Sequence, residues 1–267
     1  MNTKIRSLVA AAATAMSIAS NAQAQPADHP LSTQPVRNVV LVHGAFADGS
    51  GWRGVYDELT AKGYRVSIVQ NPLTSLADDV AATRRVLNRQ DGPTILVGHS
   101  YGGTVITEAG NDPKVAGLVY VAALAPDAGE STGDQFAEIP PPPEFIIEEQ
   151  SDGFGFVNGP KFKKGFAADT SDADAAFLRD SQVPIAMSAF SAKVTQAAWR
   201  TKPSWFVVAT EDSAIDPRLL RSTARRIGAV TEEVAGSHVV FLTKPKAVAD
   251  VIDRAAMDAG RTALESR

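Results

Sequence analysis

The sequence predicts an α/β fold with a mostly parallel sheet, helices on both faces of that sheet, and an inserted, mainly helical cap. Apolar, β-branched runs of strand length alternate with segments of helical periodicity over residues 36–126, and the alternation resumes over residues 204–262. Between these stretches, residues 127–203 show no clean strand pattern and are too many for a loop in a compact domain. We therefore expect one core built from both stretches, with residues 127–203 inserted as a cap over the carboxyl edge of the sheet.

The first stretch of the core alternates four strands with three helices. Continuous apolarity is typical of strands buried on both faces of a parallel sheet, and the expected strands are Val36–Val42, Tyr64–Val69, Thr94–Val97 and Val115–Ala123. Apolar residues at helical spacing predict helices over Trp52–Lys62, Leu76–Asn88 and Thr104–Ala109. Gly63 suits the position just after the first helix, and Ser75 suits the N-cap of the second.

The cap and the second stretch of the core supply the remaining elements. In the cap, helices are expected over Asp172–Asp180 and Pro184–Trp199. In the core, the expected elements are, in chain order, the strand Ser204–Ala209, the helix Pro217–Ile227, the strand Ala229–Val234 and the helix Pro245–Ala259. Asp216 is a suitable N-cap for the helix that begins with Pro217, because proline favours the first helical position.

Composition and charge exclude several classes of function. The 267 residues carry a net charge of −4 and show no stripe of lysine or arginine, so no nucleic-acid partner is expected. The absence of cysteine excludes disulfides, thiolate metal ligands and a cysteine nucleophile. The four histidines, His29, His43, His99 and His238, lack the paired spacing of a zinc site, so no metal is expected.

The N-terminal residues have the pattern of a secretory signal peptide. Lys4 and Arg6 precede an alanine-rich apolar segment that is too short for a permanent membrane anchor. Ala22-Gln23-Ala24 then provides a cleavage site, so residues 1–24 are expected to be removed near Ala24-Gln25 and residues 25–35 to form a flexible leader. We expect a periplasmic or secreted protein without a stable membrane anchor, and the sequence leaves its oligomeric state open.

The pattern Gly98-His99-Ser100-Tyr101-Gly102 lies between a predicted strand and a predicted helix, which is the context of a nucleophile elbow. In such an elbow a strained turn lifts the serine Oγ above the sheet. Glycines flank the serine because a Cβ there would collide with the neighbouring strand or helix. The alternative is a glycine-rich turn with an ordinary surface serine. The flanking elements favour Ser100 as a nucleophile.

A serine hydroxyl needs a base that accepts its proton. His238 follows the last predicted strand of the sheet and is the favoured base, because from there it can reach over the elbow. His29 lies in the leader, and His43 precedes a glycine-rich loop, where a structural role is expected. The side chain of His99 should point away from Ser100, because adjacent residues at an elbow diverge.

The base in turn needs a carboxylate that fixes its tautomer and stabilises its cation. Asp212 directly follows the strand Ser204–Ala209 and is ranked first as this acid. Glu211 is the second choice, and Asp216 is the third because it already serves as a helix N-cap. The order of serine, aspartate and histidine along the chain is the order found in hydrolases built on such a sheet.

The negative oxygen of a tetrahedral intermediate needs fixed N–H donors. The backbone N–H of Tyr101 is one candidate, because it follows the serine at the start of a helix. The loop after the first strand should supply the other donor, from Ala45 or, as the alternative, from Phe46. The aromatic candidates for the substrate pocket are Phe46, Trp52, Phe136 and Phe190.

Phenylalanines and a small basic cluster distinguish the predicted cap. Eight phenylalanines fall within residues 127–203, and they should face a substrate cavity, the core below or one another. Lys161, Lys163 and Lys164 are interpreted as a solvated surface patch, with attraction of an acidic substrate as the alternative.

Five segments together resemble the α/β-hydrolase superfamily, and within it the plant-type methyl esterases and hydroxynitrile lyases with their bacterial esterase relatives. The segments are Leu41–Ala45, Gly49–Trp52, Gly98–Gly103, Thr210–Asp212, and Gly236–His238 with the following Phe241-Leu242. They span nearly all of the expected core. The resemblance implies an α/β-hydrolase fold, a triad of Ser100, Asp212 and His238, an oxyanion hole formed by Ala45 and Tyr101, and no cofactor.

One departure from the resemblance narrows the expected reaction. Hydroxynitrile lyases of this branch carry a lysine directly after the catalytic histidine, whereas this chain has Val239, which disfavours lyase activity. Ser100 at the elbow also excludes the aspartate nucleophile of epoxide hydrolases and haloalkane dehalogenases. We expect a serine carboxylesterase for a small or medium ester with an apolar or aromatic portion. The alternatives are a cofactor-free perhydrolase or haloperoxidase, a hydroxynitrile lyase, and a non-catalytic receptor for a small ligand.

Overall fold

The computed structural model describes residues 36–265, with side chains up to residue 261. The predicted signal peptide and leader, residues 1–35, lie outside the described residues. The strands of the described range are, in chain order, β1 (Asn38–Val42), β2 (Arg65–Val69), β3 (Thr94–His99), β4 (Val115–Val121), β5 (Ile147–Glu149), β6 (Phe154–Val157), β7 (Ile185–Ala186), β8 (Ser204–Ala209) and β9 (Val230–Val234). Six of them form one parallel sheet in the order β2-β1-β3-β4-β8-β9.

Helices connect these strands. They are α1 (Arg53–Ala61), α2 (Leu76–Asn88), α3 (Gly102–Ala109), α4 (Thr132–Glu138), α5 (Phe162–Phe166), α6 (Asp172–Asp180), α7 (Ser188–Ser191), α8 (Pro217–Arg226), α9 (Val240–Thr243) and α10 (Pro245–Glu265). The chain steps from β1 to β2 in one direction and then crosses to β3 in the other, so right-handed crossovers place α1 and α2 on opposite faces of the sheet. Helix α1 packs against α10, and α2 packs against α3. The predicted parallel sheet with helices on both faces is confirmed.

The burial of the strands explains their sequences. Every residue of β1, β3 and β8 is buried, which requires the continuous apolar runs from which these strands were predicted. Strand β9 lies at one edge of the sheet and is largely exposed. Its Glu232 and Glu233 form ion pairs with Arg254 and Arg221, and charged side chains of this kind discourage pairing with another strand.

Local capping chemistry fixes several helix boundaries as predicted. The Ser75 hydroxyl accepts a hydrogen bond from the N–H of Asp78 at 3.1 Å, and α2 occupies the predicted range. The Asp216 carboxylate accepts from the N–H of Arg218 at 2.8 Å, and α8 begins at Pro217 as expected. Helix α10 continues to Glu265 beyond the predicted end at Ala259, so Gly260 does not terminate it.

The segment between β4 and β8 contains more irregular structure than its sequence indicates. Its helices are joined by a small antiparallel sheet, β5-β6-β7, although no strand was predicted there. The prediction of a helix over Pro184–Trp199 is wrong. This range contains β7, the short helix α7 and a single 3₁₀ turn at Ala198–Arg200. Strands of two to four residues are too short to produce a recognisable alternation, and pairing with β6 determines the conformation of β7.

Candidate active site

The turn between β3 and α3 has the geometry of a nucleophile elbow. Ser100 has a φ of +54°, which is a strained backbone conformation for a residue with a side chain. A Cβ on Gly98 would lie 2.5 Å from the carbonyl oxygen of Gly102, and a Cβ on Gly102 would lie 2.7 Å from the carbonyl oxygen of His43. The sequence therefore needs glycine at both positions for β1, β3 and α3 to approach one another beneath the serine.

The structure brings the three predicted triad side chains together. The Nε2 atom of His238 lies 2.9 Å from the Oγ of Ser100, and its Nδ1 lies 2.7 Å from the Oδ2 of Asp212. A carboxylate can only accept, so Nδ1 carries the proton and Nε2 is free to accept the proton of the serine hydroxyl. His238 and Asp212 are both buried, whereas the serine is partly accessible. This arrangement is suited to removing the proton of Ser100.

Asp212 is held in one orientation by the main chain. Its Oδ1 accepts hydrogen bonds from the N–H groups of Ala214 and Ile215, both at 2.8 Å, which leaves Oδ2 for His238. The other two candidate acids are placed differently. Glu211 is exposed, and Asp216 caps α8 and pairs with Arg218. Among the three, only Asp212 contacts His238 in the described structure.

The other two described histidines have structural partners. The Nε2 atom of His43 accepts from the N–H of Asn71 at 2.9 Å, so its Nδ1 carries the proton and donates to the carbonyl of Gly44. Burial lowers the pKa of His43. His99 is fully buried and donates from Nε2 to the main-chain carbonyl of His238 at 2.9 Å. Burial and then the nearby His238 hold the pKa of His99 well below its ordinary value. His99 therefore supports the loop that carries His238.

The candidate oxyanion donors face the elbow from two loops. Ala45 and Phe46 follow β1 and are buried, and Phe46 has a φ of +62°. Tyr101 occupies the position just before α3. In the part of the chain that the structure describes, the N–H groups of Ala45, Phe46 and Tyr101 have no main-chain or side-chain acceptor. These donors are therefore free for a substrate oxygen, and the choice between Ala45 and Phe46 stays open.

A narrow, largely aromatic cavity adjoins Ser100. It is lined by Ala45, Phe46, Ser100, Tyr101, Leu124, Thr132, Phe136, Phe145, Phe166, Phe190, Ala214, Ile215 and His238. Three of the four predicted pocket residues, Phe46, Phe136 and Phe190, are among them. No lysine, arginine, aspartate or glutamate side chain of the described residues lines this cavity, so its walls favour neutral, apolar groups.

Trp52, the fourth predicted pocket residue, does not line the cavity. Its ring is fully buried against Phe241 at 4.6 Å between centroids and meets the edge of His99 at 6.4 Å. The apolar spacing of the sequence indicated burial of Trp52 but could not distinguish a cavity wall from the packing behind the elbow. Trp52 therefore supports His99 and is not a pocket residue.

The cap contributes aromatic rings to the site, while its basic cluster does not reach it. The ring of Phe166 meets the edge of His238 with centroids 5.0 Å apart. Lys163 pairs with Asp172, and Lys161 and Lys164 pair with Glu144. None of the three lysines lines the cavity beside Ser100. Their pairing with surface carboxylates supports the interpretation of this cluster as a solvated patch.

Sequence reasoning missed two carboxylates near the site. Asp169 of the cap accepts hydrogen bonds from the hydroxyls of Ser237 and Thr243, next to His238, and no sequence pattern marks it. Asp79 of α2 is fully buried and accepts from the hydroxyl of Tyr101 at 2.8 Å. Its position, three residues after the buried Leu76, was a usable signal, because residues three apart share a helix face.

No group of three or more histidine, cysteine, aspartate or glutamate side chains in residues 36–261 is arranged to hold a metal ion. None of the described helices is both long and apolar enough to cross a membrane.

Comparison with known proteins gives consistent matches. The profile of a family described as "Alpha/beta hydrolase family" matches residues 39–251. The alpha/beta hydrolase nvfD of Aspergillus novofumigatus is 25% identical over 246 residues, which cover 83% of this chain and 97% of that protein. Two bacterial relatives match over shorter stretches. A pyrethroid hydrolase of Sphingobium wenxiniae is 38% identical over 104 residues, which are 33% of this chain and 36% of that protein. A carbendazim hydrolyzing esterase of a Nocardioides species is 37% identical over 108 residues, which are 35% of this chain and 45% of that protein.

Solved structures agree on the fold. An extracellular alpha/beta-hydrolase from a Paenibacillus species superposes with a TM-score of 0.71 at 22% identity, covering 83% of this chain and 99% of that one. That protein is described as sharing structural and functional homology with tobacco salicylic acid binding protein 2. At this identity the likeness establishes the fold, and it agrees with the branch that the sequence motifs resemble.

Proposed function

The chain belongs to the alpha/beta hydrolase family, and on this premise we propose that it is a serine esterase in which Ser100 forms an acyl-enzyme with a carboxylic ester. The observation that carries the proposal is the hydrogen-bonded series from Ser100 Oγ through His238 to Asp212, with the serine in a strained turn. This series contains the nucleophile, the base and the orienting acid that acyl transfer needs.

In the proposed reaction, Ser100 Oγ attacks the ester carbonyl carbon while its proton passes to His238 Nε2. The resulting oxyanion accepts hydrogen bonds from the N–H of Tyr101 and from the N–H of Ala45 or Phe46. The intermediate then collapses, the alcohol leaves with the proton from His238, and an acyl-serine ester remains. Water, deprotonated by His238, attacks this ester and releases the acid, which regenerates Ser100. The proposed reaction uses no cofactor.

The cavity suggests the class of substrate. The cavity beside Ser100 is narrow, and its aromatic walls offer no formal charge to pair with an ionic group. We propose a small or medium neutral ester with an apolar or aromatic portion. The predicted signal peptide would place this activity in the periplasm or outside the cell, and export stays a prediction.

The proposal is tested with p-nitrophenyl esters of increasing acyl length. We expect hydrolysis of the short esters by the wild-type protein and loss of nearly all activity in Ser100→Ala. Glu211→Gln is the matched control, because this exposed carboxylate lies next to Asp212 without contacting His238. Hydrolysis that persists in Ser100→Ala, or that is absent over the whole series, would refute the esterase assignment. Acid-dependent peroxide turnover without ester hydrolysis would instead favour the alternative of a perhydrolase.

A further inference from the structure

A buried carboxylate outside the triad is bonded to the residue that follows the nucleophile. Asp79 has no exposed surface, and its Oδ2 accepts from the hydroxyl of Tyr101 at 2.8 Å. Its Oδ1 accepts from the N–H of Leu73 at 2.8 Å. Both oxygens are thus occupied by donors from other elements, and the carboxylate joins α2 to the elbow.

Among residues 36–261, the Asp79 carboxylate accepts from Leu73 and Tyr101 and pairs with no cationic side chain. Burial of the side chain raises the pKa of Asp79 to about 6, although the bonds from Leu73 and Tyr101 partly oppose the shift. Burial, with a further effect of Asp79, also raises the pKa of Tyr101, so the phenol stays protonated and acts as the donor. A buried carboxylate without a counter-charge is unfavourable for folding, and such groups are concentrated at functional sites.

The loop at residues 71–73 is bonded, directly or through Asp79, to both segments that supply the candidate oxyanion donors. Asn71 donates from its N–H to the ring of His43 and from its side-chain amide to the carbonyl of His43, each at 2.9 Å. His43 leads directly into Ala45 and Phe46. Two residues after Asn71, Leu73 bonds to Asp79, which bonds to Tyr101. The loop at residues 71–73 therefore connects the two segments that supply the candidate oxyanion donors.

Leu73 is itself strained and linked to the cap. It is fully buried with a φ of +58°, and its carbonyl accepts from the N–H of Ala186 in β7 at 2.8 Å. The bond to Asp79 is one of the contacts that hold this backbone in place. Tyr101 also lines the cavity, where its ring meets the edge of Phe190 at 5.7 Å between centroids. Movement of the Tyr101 ring would therefore disturb both the elbow and the cavity wall.

We propose that Asp79 is a positioning residue. Through its bond with the hydroxyl of Tyr101, it holds the backbone N–H of Tyr101 in the geometry that the oxyanion requires. The inference rests on the proposed esterase function and deepens it. Because an oxyanion hole acts on the transition state, loss of this contact should lower kcat more than it changes KM.

Two variants remove the contact from opposite ends. Asp79→Asn keeps the shape of the side chain, but with its amide oxygen facing the N–H of Leu73 its nitrogen faces the Tyr101 hydroxyl. That nitrogen can only donate, so the bond that the Tyr101 hydroxyl donates to a charged oxygen is lost. Tyr101→Phe removes only the hydroxyl. For a p-nitrophenyl ester, we expect each variant to lower kcat about tenfold while KM stays within about threefold. The double variant should lose about as much as either single variant, because both remove the same contact.

A second readout separates positioning from general destabilisation. An alkyl trifluoromethyl ketone accepts Ser100 Oγ at its carbonyl carbon, the serine proton passes to His238, and the carbonyl oxygen becomes an oxyanion. We expect both single variants to bind this inhibitor about tenfold more weakly than the wild type. The control is Thr83→Val, which removes a buried hydroxyl that bonds to the main-chain carbonyl of Asp79 without contacting Tyr101. This control should lose thermal stability but keep the wild-type kcat and inhibitor affinity.

The outcomes distinguish this inference from the function on which it rests. A wild-type protein without ester hydrolysis would overturn both. An active wild type with an inactive Ser100→Ala, combined with wild-type kcat and inhibitor affinity in folded Asp79→Asn and Tyr101→Phe, would overturn the positioning role alone. Multiplicative losses in the double variant would also contradict it. If Asp79→Asn does not fold, the kcat and inhibitor affinity of Tyr101→Phe decide the question.

Discussion

Replacing Asp212 by asparagine should abolish activity through a change in the tautomer of His238. The oxygen that accepts from Ala214 and Ile215 must remain a carbonyl, because two N–H groups at 2.8 Å point at it. The amide nitrogen of the introduced asparagine would then occupy the position of Oδ2, 2.7 Å from His238 Nδ1. Since that nitrogen is a donor, Nδ1 would have to accept, and the proton of the imidazole would move to Nε2.

The expected loss follows from this geometry. With a proton on Nε2, His238 donates to Ser100 Oγ and can no longer accept the serine proton. Replacement of the aspartate by asparagine in a triad lowers kcat by about 10⁴-fold, which corresponds to about 5.5 kcal/mol in the activation free energy at about 1.36 kcal/mol per factor of ten. Folding stability should change much less, because the amide has the same shape and keeps both bonds to the main chain.

The assay compares kcat for p-nitrophenyl acetate in the wild type, Asp212→Asn and Glu211→Gln, with thermal unfolding of each variant followed by circular dichroism. Glu211→Gln should retain kcat within about twofold, because its exposed carboxylate does not contact His238. A well-folded Asp212→Asn variant that retains more than about a tenth of the wild-type kcat would contradict the predicted change of tautomer. A Glu211→Gln variant that loses as much activity as Asp212→Asn would contradict it as well.

Three further predictions concern the elbow, the buried carboxylate and the cavity. Gly98→Ala should destabilise the fold by about 1–3 kcal/mol or more in urea unfolding, because its Cβ would lie 2.5 Å from the carbonyl oxygen of Gly102. Gly159→Ala, where the nearest heavy atom would be 3.7 Å away, is the control, and equal stabilities of the two variants would contradict the steric account. Folding raises the pKa of Asp79 from 3.8 to about 6, so the folded state binds the additional proton between these values. This proton contributes about 3 kcal/mol to the free energy of unfolding. The contribution is fully present below pH 3.8 and is lost as the pH rises to about 6. Urea unfolding between these pH values should show this loss of stability in the wild type but not in Asp79→Asn. If the free energies of unfolding of the two proteins depend on pH in the same way, the raised pKa of Asp79 is contradicted. Phe190→Ala should enlarge the cavity and raise the ratio of kcat/KM for p-nitrophenyl octanoate over acetate about tenfold, whereas an unchanged chain-length profile would show that Phe190 does not limit the acyl group.

The parts of the fold that follow from local chemistry could be predicted from the sequence. The buried strands require continuous apolar runs, and Ser75 and Asp216 determine helix starts through their own side chains. The convergence of Ser100, Asp212 and His238 was also predictable, because each of these residues follows a strand of one parallel sheet. The carboxyl ends of such strands meet at the same edge, so positions distant in the sequence converge in space.

Features that depend on tertiary contacts were not predictable in the same way. The short strands β5 to β7 exist because they pair with one another, and their two to four residues carry no periodic signal. Trp52 was predicted to line the substrate pocket, and that prediction is wrong because its ring packs against Phe241 outside the cavity. Asp79 sits on the buried face of α2, and its significance depends on Tyr101, 22 residues away.

The identity of the nucleophile is tested most directly by covalent labelling. Diethyl p-nitrophenyl phosphate phosphorylates an activated serine, because Oγ displaces p-nitrophenol from phosphorus. We predict one diethylphosphoryl group per chain in the intact mass, located on the peptide that contains Ser100, with release of one p-nitrophenol and loss of esterase activity in proportion to labelling. Ser100→Ala should remain unlabelled under the same conditions. Esterase activity that survives complete labelling of Ser100, or a label that maps to another residue, would contradict the assignment of Ser100 as the nucleophile.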